Sequence, residues 1–237
     1  MTRRRWMADE VSDDRAALIG SHADHLIRVL RARVGQEFDI GVGEKVRRGR
    51  IVNISDRRVE FALEAEVPHL RLPRVTVILS VFKFNSMDWA IEKCTELGAV
   101  RIIPLIARRT DAHLATAAPK RRERWQKISR QAAEQSRRLA PPEISAPMNL
   151  KEVVVLTGET RIMLAESEKE VFLKRALQPY SPGGEVLLVF GPEGGWTEYE
   201  LHLFRNAGWV AASLGRNILR AETAVVAALA VVMAELQ

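Results

Sequence analysis

Cysteine is almost missing from this sequence. Cys94 stands alone, so no disulfide can close within the chain, and the fold has to come from packing, as expected in a reducing compartment. Long apolar runs are missing too. The longest, Ala224 to Ala234, is too short to span a bilayer and reads as a buried helix. The basic start, Met1-Thr2-Arg3-Arg4-Arg5-Trp6, runs into Asp9, Glu10, Asp13 and Asp14 instead of an apolar stretch, so it does not read as a signal peptide. These absences predict a cytoplasmic protein with no membrane partner. No G-x-G-x-x-G follows an early strand, which leaves a Rossmann dinucleotide site poorly supported; no G-K-[ST] is present for a P-loop and no G-x-S-x-G for a nucleophile elbow. The histidines His22, His25, His69, His113 and His202 show no metal-ligand spacing with Cys94, so no metal is expected. Low-complexity tracts are absent, which argues against general disorder.

Hydrophobic residues make up 47% of the 237, enough for one large domain or a large and a small one. The formal net charge is +6, and it is unevenly spread. From Val100 to Arg138 eleven Lys/Arg face three Asp/Glu, a net of +8, so the remainder sums to −2. Such a cluster suits a polyanion, because each neutralised phosphate releases counterions; a solvated helix face explains it equally well.

Two regions differ in pattern. After a short helix, with Ser21 as its expected cap, Asp24 three residues on and Leu26, Val29 and Leu30 on its apolar side, Glu37–Ile40, Arg48–Ile54 and Arg58–Ala65 read as short strands between glycine turns. This suggests a small antiparallel barrel, with a linker at His69–Leu72 between Pro68 and Pro73. From Val75 strands and helices alternate, which predicts a mainly parallel α/β sheet. Strands are expected at Val75–Val81, Arg101–Ile106, Glu152–Leu156, Arg161–Ala165, Val186–Phe190 and Val210–Leu214. Helices are expected at Ser86–Leu97, at Lys120–Leu139 after Pro119, near Glu168–Leu177, at Glu198–Asn206 and from about Glu222. Cys94 lies on the apolar face of its helix and reads as packing; Trp125 does too, beside Ile128 and Ala132. The expected division is residues 1–72 and 73–237.

Three segments stand out chemically. Phe190-Gly191-Pro192-Glu193-Gly194-Gly195-Trp196-Thr197 follows an apolar strand, and Thr197 with Glu200 forms a capping box that starts a helix. Loops at the carboxyl ends of parallel strands are where ligands bind. A tight turn without a ligand accounts for these residues as well. Leu214-Gly215-Arg216-Asn217-Ile218-Leu219-Arg220 again follows a strand, with Leu214, Ile218 and Leu219 available as apolar walls; its plain alternative is a helix start at which Glu222 meets the positive dipole end. Glu134 is three and four residues from Arg137 and Arg138, a spacing that by itself suits a surface ion pair.

In order along the chain, Lys83, Glu92-Lys93-Cys94-Thr95-Glu96-Leu97-Gly98, Ile102-Ile103-Pro104, Glu134-Gln135-Ser136-Arg137 with Pro142, Gly191-Pro192-Glu193-Gly194-Gly195, and Leu214-Gly215 with Ile218-Leu219-Arg220-Ala221-Glu222-Thr223-Ala224 resemble the RsmE family of SPOUT methyltransferases. His25-Leu26 with Val29-Leu30-Arg31 resembles the family's start. The resemblance implies a PUA-like RNA-binding β-barrel followed by an α/β domain with a C-terminal trefoil knot, working as a homodimer. It implies S-adenosylmethionine as cofactor, held by Leu164, Ala165 and Glu166, by Phe190, Gly191, Pro192, Gly194 and Gly195, and by Leu214, Gly215, Ile218, Leu219, Arg220, Thr223 and Ala224. The implied substrate is a uridine of 16S ribosomal RNA, free or in the small ribosomal subunit, methylated at ring nitrogen N3.

That nitrogen is protonated and a poor nucleophile until it ionises, so cationic donors near the uracil oxygens would stabilise the forming anion. Arg137 and Arg220 are the expected donors, with Arg3, Arg4 and Arg5 as others. Glu193 and Glu222 are possible bases or purely structural. Phosphates are expected on Arg3, Arg4, Arg5, Arg28, Arg31, Arg108, Arg109 and Arg138, and a base could stack on Trp6. The rival readings are a SPOUT enzyme acting on a ribose hydroxyl or another base, an RNA-binding or ribosome-assembly protein without catalysis, and a phosphate-binding enzyme using the glycine loop.

Overall fold

A computed structural model describes residues 5–43, 45–68, 73–136, 138–181 and 183–236. The chain divides into two compact units, Met1–Arg71 with Ala133–Ala140 and Leu72–Ala132 with Pro141–Gln237. The segment Ala133–Ala140, which the sequence division left in the second domain, thus groups with the first unit. The expected linker His69–Leu72 lies outside the described residues.

The first unit contains β1 (Arg5–Met7), β2 (Glu10–Ser12), β3 (Arg15–Ile19), α1 (Ser21–Asp24), a π-helical turn (His25–Val29), β4 (Glu37–Val42), β5 (Lys45–Ser55) and β6 (Arg58–Glu66). The six strands form one sheet in the order β1-β4-β5-β6-β3-β2, antiparallel except where β1 runs parallel to β4. The sequence pattern shows β4 to β6 and misses β1 to β3, which are too short to display a period of two. Along β6, Val59, Phe61 and Leu63 point inward at alternate positions, and Leu18, Leu26, Ile40 and Ile51 complete the core. Gly49 is required where β4 and β5 close over this core, since a Cβ there would lie 2.4 Å from Ile40 Cγ1.

Two expectations for α1 fail. Its N-cap is Gly20, with φ 59°, and Ser21 makes no capping bond; the Asp24 carboxylate serves Arg57 Nε at 3.3 Å instead. The π-helical turn inserts a residue into the helical repeat and carries Val29 out of the apolar stripe, leaving it 64% exposed.

The second unit contains β7 (Arg74–Ser80), α2 (Phe84–Glu96), β8 (Arg101–Ile106), α3 (Ala112–Gln135) as far as Ala132, β9 (Glu143–Ile144), β10 (Met148–Asn149), α4 (Leu150–Val154), β11 (Thr160–Leu164), α5 (Leu173–Ala176), β12 (Glu185–Phe190), α6 (Glu198–Asn206), β13 (Val210–Ala212) and α7 (Ala221–Leu236). All pairings are parallel, in the order β10-β8-β7-β12-β11-β13, with β9 also on β8. Both faces are covered, as parallel sheets require. Val75, Val77, Leu79, Val186, Leu188 and Phe190 point to one face, against α2, α5, α7 and the fully buried Trp125. Ile78, Ile103, Met163, Leu187 and Val189 point to the other, against Leu150 and Val153 of α4 and Leu201 and Phe204 of α6.

Three sequence expectations are corrected here. The basic helix begins at Ala112, not Lys120, because Asp111 Oδ1 accepts from the amides of His113 (2.8 Å) and Leu114 (3.3 Å); Pro119 lies inside it, and it ends at Gln135, not Leu139. The expected strand Glu152–Leu156 is replaced by α4. Asn149 and Glu152 form a full capping box there, and the buried Leu150, Val153 and Val154 dock as a helix. The helix near Glu168 shrinks to α5, because Glu168 Oε1 accepts from the amides of Lys169, Glu170 and Val171 and ties a turn instead. Replacing Asn149 with alanine is expected to cost about 1 kcal/mol of stability, read as a lower urea midpoint with an unchanged slope.

Candidate functional site

Because β11 lies between β12 and β13, the chain leaves three neighbouring parallel strands side by side, each about 5 Å from the next. The segments after those strand ends, 165–167, 191–196 and 213–220, line a cavity of about 760 Å³. Lys83 and Ser86 at the start of α2, Arg109 after β8, Glu198 and Leu201 of α6, and Ala221, Glu222 and Ala224 of α7 complete it.

Of the residues expected to hold a cofactor, Leu164, Ala165, Glu166, Phe190, Gly191, Pro192, Gly194, Gly195, Leu214, Gly215, Ile218, Leu219, Arg220 and Ala224 line this cavity, as does Glu193. Thr223 does not. It is exposed on the first turn of α7, on a different side from Ala221 and Ala224. The sequence reading assigned no site role to Trp196, Lys83, Ser86 or Arg216, and it expected Arg109 on an RNA phosphate; the fold brings all five to the wall.

The glycine segment is held from outside itself. Internally it has the turn bond from Gly195 N to Pro192 O (2.8 Å). Trp196 Nε1 donates to Leu164 O at the end of β11 (2.8 Å), and the indole packs edge-on against Phe204 at 5.2 Å. A Cβ at Gly191 would crowd that ring, lying 3.1 Å from Trp196 Cε2. The capping box read from the sequence is present: Thr197 Oγ1 accepts from Glu200 N, and Glu200 Oε2 accepts from Thr197 N (2.9 Å) and Thr197 Oγ1 (2.7 Å). Glu200 is fully buried, and its second oxygen accepts from Arg108 N (2.8 Å).

The cavity carries both signs of charge. Glu166, Glu193, Glu198 and Glu222 line it together with Lys83, Arg109, Arg216 and Arg220. Its apolar lining comes from Leu164, Phe190, Leu214, Leu219 and Ile218, the last 81% exposed. Ser86 Oγ donates to Glu222 Oε1 at 3.4 Å, joining α2 to α7.

Other expected site residues have different surroundings. Arg3, Arg4 and Arg137 lie outside the described residues. Arg28 and Arg31 are exposed in the first unit, and Arg31 sits at φ 50°, uncommon for a side-chain-bearing residue. Arg5 is half-buried in β1. Burial pushes the Arg138 guanidinium down to about 10. The Arg108 guanidinium lies over the Tyr199 ring, 4.9 Å from its centre. Trp6 packs beside His22 and His25, with ring centres at 6.2 and 5.5 Å. Glu134 faces His22 Nε2 at 3.8 Å. Trp125 is fully buried, as expected, and its Nε1 donates to Asp88 Oδ1 (3.1 Å).

Cys94 is fully buried, and burial pushes its thiol well above the usual range. Thiolate is the reactive form, so Cys94 is expected to resist iodoacetamide in the native protein and to react after unfolding in urea, as mass spectrometry would show.

A family model described as an RNA methyltransferase domain matches residues 69–233. The ribosomal RNA small subunit methyltransferase E of Synechocystis sp. is 33% identical over 97% of this chain and 76% of its own length. The enzyme of that name from Bacillus subtilis is 31% identical over 91% of this chain and 88% of its own. Among solved structures, a ribosomal RNA small subunit methyltransferase E from Neisseria gonorrhoeae bound to S-adenosyl methionine is similar, with a TM-score of 0.78, 30% identity, and coverage of 97% of this chain and 96% of that one.

Proposed function

We propose that this chain, which belongs to the ribosomal RNA small subunit methyltransferase E family, methylates ring nitrogen N3 of a uridine in 16S ribosomal RNA with S-adenosylmethionine as methyl donor. The observation that carries the reading is the glycine-lined cavity at three adjacent strand ends. Its volume of about 760 Å³ falls in the range that encloses a cofactor-sized ligand.

The lining suits the donor's chemistry. Leu164, Phe190, Leu214 and Leu219 offer apolar surface to a flat heterocycle, while the exposed peptide groups of Gly194 and Gly215 offer edges to hydrogen-bond it. Glu166, Glu193 and Glu222 balance a ligand that carries ammonium and sulfonium charge, and Arg216 and Lys83 are available to its carboxylate. The bound donor supplies a methyl carbon made electrophilic by its sulfonium.

The chain's own task is to align the acceptor and stabilise charge on it. Arg220, at the cavity rim just before α7, faces the uracil oxygens and stabilises the anion that forms as N3 loses its proton. Arg137 of the basic segment is the second donor. Glu193 is the nearby carboxylate available to take the proton. Residues 1–72 form the PUA-like RNA-binding domain and residues 73–237 the methyl-transfer domain, whose three cavity loops tie a trefoil knot. Arg5, Arg28, Arg31 and Arg138 contact phosphates, together with Arg3 and Arg4. Two copies act as a dimer in the cytoplasm, without a metal.

Incubating the chain with methyl-labelled S-adenosylmethionine and small ribosomal subunits, then mapping the label, tests this. Label on N3 of one uridine is the expected result. Label on a ribose or another base changes the target. No label, together with no binding of S-adenosylmethionine in calorimetry, overturns the reading.

A further inference from the structure

We infer that Arg109 is a positioning residue that fixes the glycine segment in its cofactor-binding shape, and that it sets the affinity for S-adenosylmethionine without taking part in methyl transfer. The inference rests on the proposed cofactor reading of the cavity. Arg109 follows β8, far in sequence from the segment it touches. Its Nη1 donates to Gly194 O at 2.7 Å and, more weakly, to Trp196 O at 3.4 Å. Its aliphatic stem lies along Gly194, where a Cβ would stand 3.4 Å from Arg109 Cδ.

The effect on the segment is geometric. The peptide between Gly194 and Gly195 is held at both ends, its oxygen by Arg109 and its N–H by Pro192 O. Two consecutive glycines have a wide choice of backbone angles, and Gly195 sits at φ 69°. A cation on Gly194 O removes much of that freedom before any ligand arrives, so the ligand meets a preorganised wall.

Arg109 is itself anchored. Its neighbour Arg108 gives its amide to the buried Glu200, and Thr110 closes a turn with Ala107 through Oγ1 (3.0 Å) and its own N–H (3.1 Å). A guanidinium committed to carbonyl oxygens within its own chain has a different job from one reserved for an RNA phosphate, the role its sequence neighbourhood suggested.

The test uses the full chain with Arg109→Ala and Arg109→Lys. Calorimetric titration with S-adenosylmethionine, kcat at saturating donor, and RNA affinity at fixed salt are measured for each. Loss of one charge-assisted hydrogen bond predicts about ten-fold weaker donor binding in R109A, with kcat at saturation and RNA affinity close to wild type. R109K is expected to fall between, since an ammonium on a flexible stem restores the charge but not the fixed direction of the guanidinium donor. Unchanged donor affinity in R109A with weakened RNA binding overturns the inference and makes Arg109 a phosphate contact. A fall in kcat at saturating donor also overturns it. Failure of the wild-type chain to bind the donor counts against the cofactor reading, which separates the two.

Discussion

Replacing Arg220 with alanine is expected to lower kcat by about 10²- to 10³-fold, the usual cost of removing one donor to a developing anion, while S-adenosylmethionine still binds. Arg220 lines the cavity at the last position before α7, and its side chain is exposed. Among the described residues no hydrogen bond or ion pair ties its guanidinium down, so truncation removes a charge without breaking the fold. The acceptor nitrogen of uracil has to shed a proton before it attacks, and a cation beside the ring oxygens lowers the cost of the negative charge left behind. The pH–rate profile tests this role in a way that a structural defect would not reproduce. Raising the pH ionises uracil without help, so the deficit of R220A is expected to shrink as pH rises. R220K recovers part of the rate, because it restores charge but not the planar two-point donor. A deficit that is the same at every pH, or an unchanged kcat, would remove Arg220 from the chemistry.

What the sequence discloses about this site is what local chemistry controls. Thr197 and Glu200 are three residues apart, and their reciprocal capping bonds form as read; strand Arg101–Ile106 and helix Glu198–Asn206 carry the expected bounds. Val153-Val154-Val155 shows where local signals compete. Three β-branched residues suggest a strand, but Asn149 caps the turn before them, and burial of Leu150, Val153 and Val154 favours the helix. The contacts that shape the cavity wall lie beyond local reach. Arg109 and Gly194 are 85 positions apart and Trp196 and Leu164 are 32. A side-chain bond to a distant carbonyl leaves no spacing or periodicity to find. Thr223 stands apart from the cavity wall for the opposite reason. Carrying over a whole motif ignores the helical turn, which sends one residue in every few away from the cavity.

Replacing Glu200 with alanine is expected to destabilise the chain by roughly 3 kcal/mol, from buried donors left without an acceptor, and this would be a substantial share of the stability of a typical domain. The carboxylate is fully buried and holds three donors: Arg108 N on Oε1, and Thr197 N and Thr197 Oγ1 on Oε2. Truncation to alanine leaves both amides without this acceptor and opens a small void. E200Q separates packing from hydrogen bonding. Glutamine fills the space, but its amide has an acceptor at one end only, so its NH2 must confront either Arg108 N or Thr197 N, and about half the loss should remain. The readout is a lower urea midpoint with an unchanged slope. The damage should also reach the cavity, because Glu200 joins the start of α6, which ends the glycine segment, to the backbone that carries Arg109. Donor affinity in E200Q is therefore expected to fall under conditions where the variant is fully folded. A midpoint within error of wild type for E200A would show that the three donors find other partners, and the joint between the two cavity loops would then lie elsewhere.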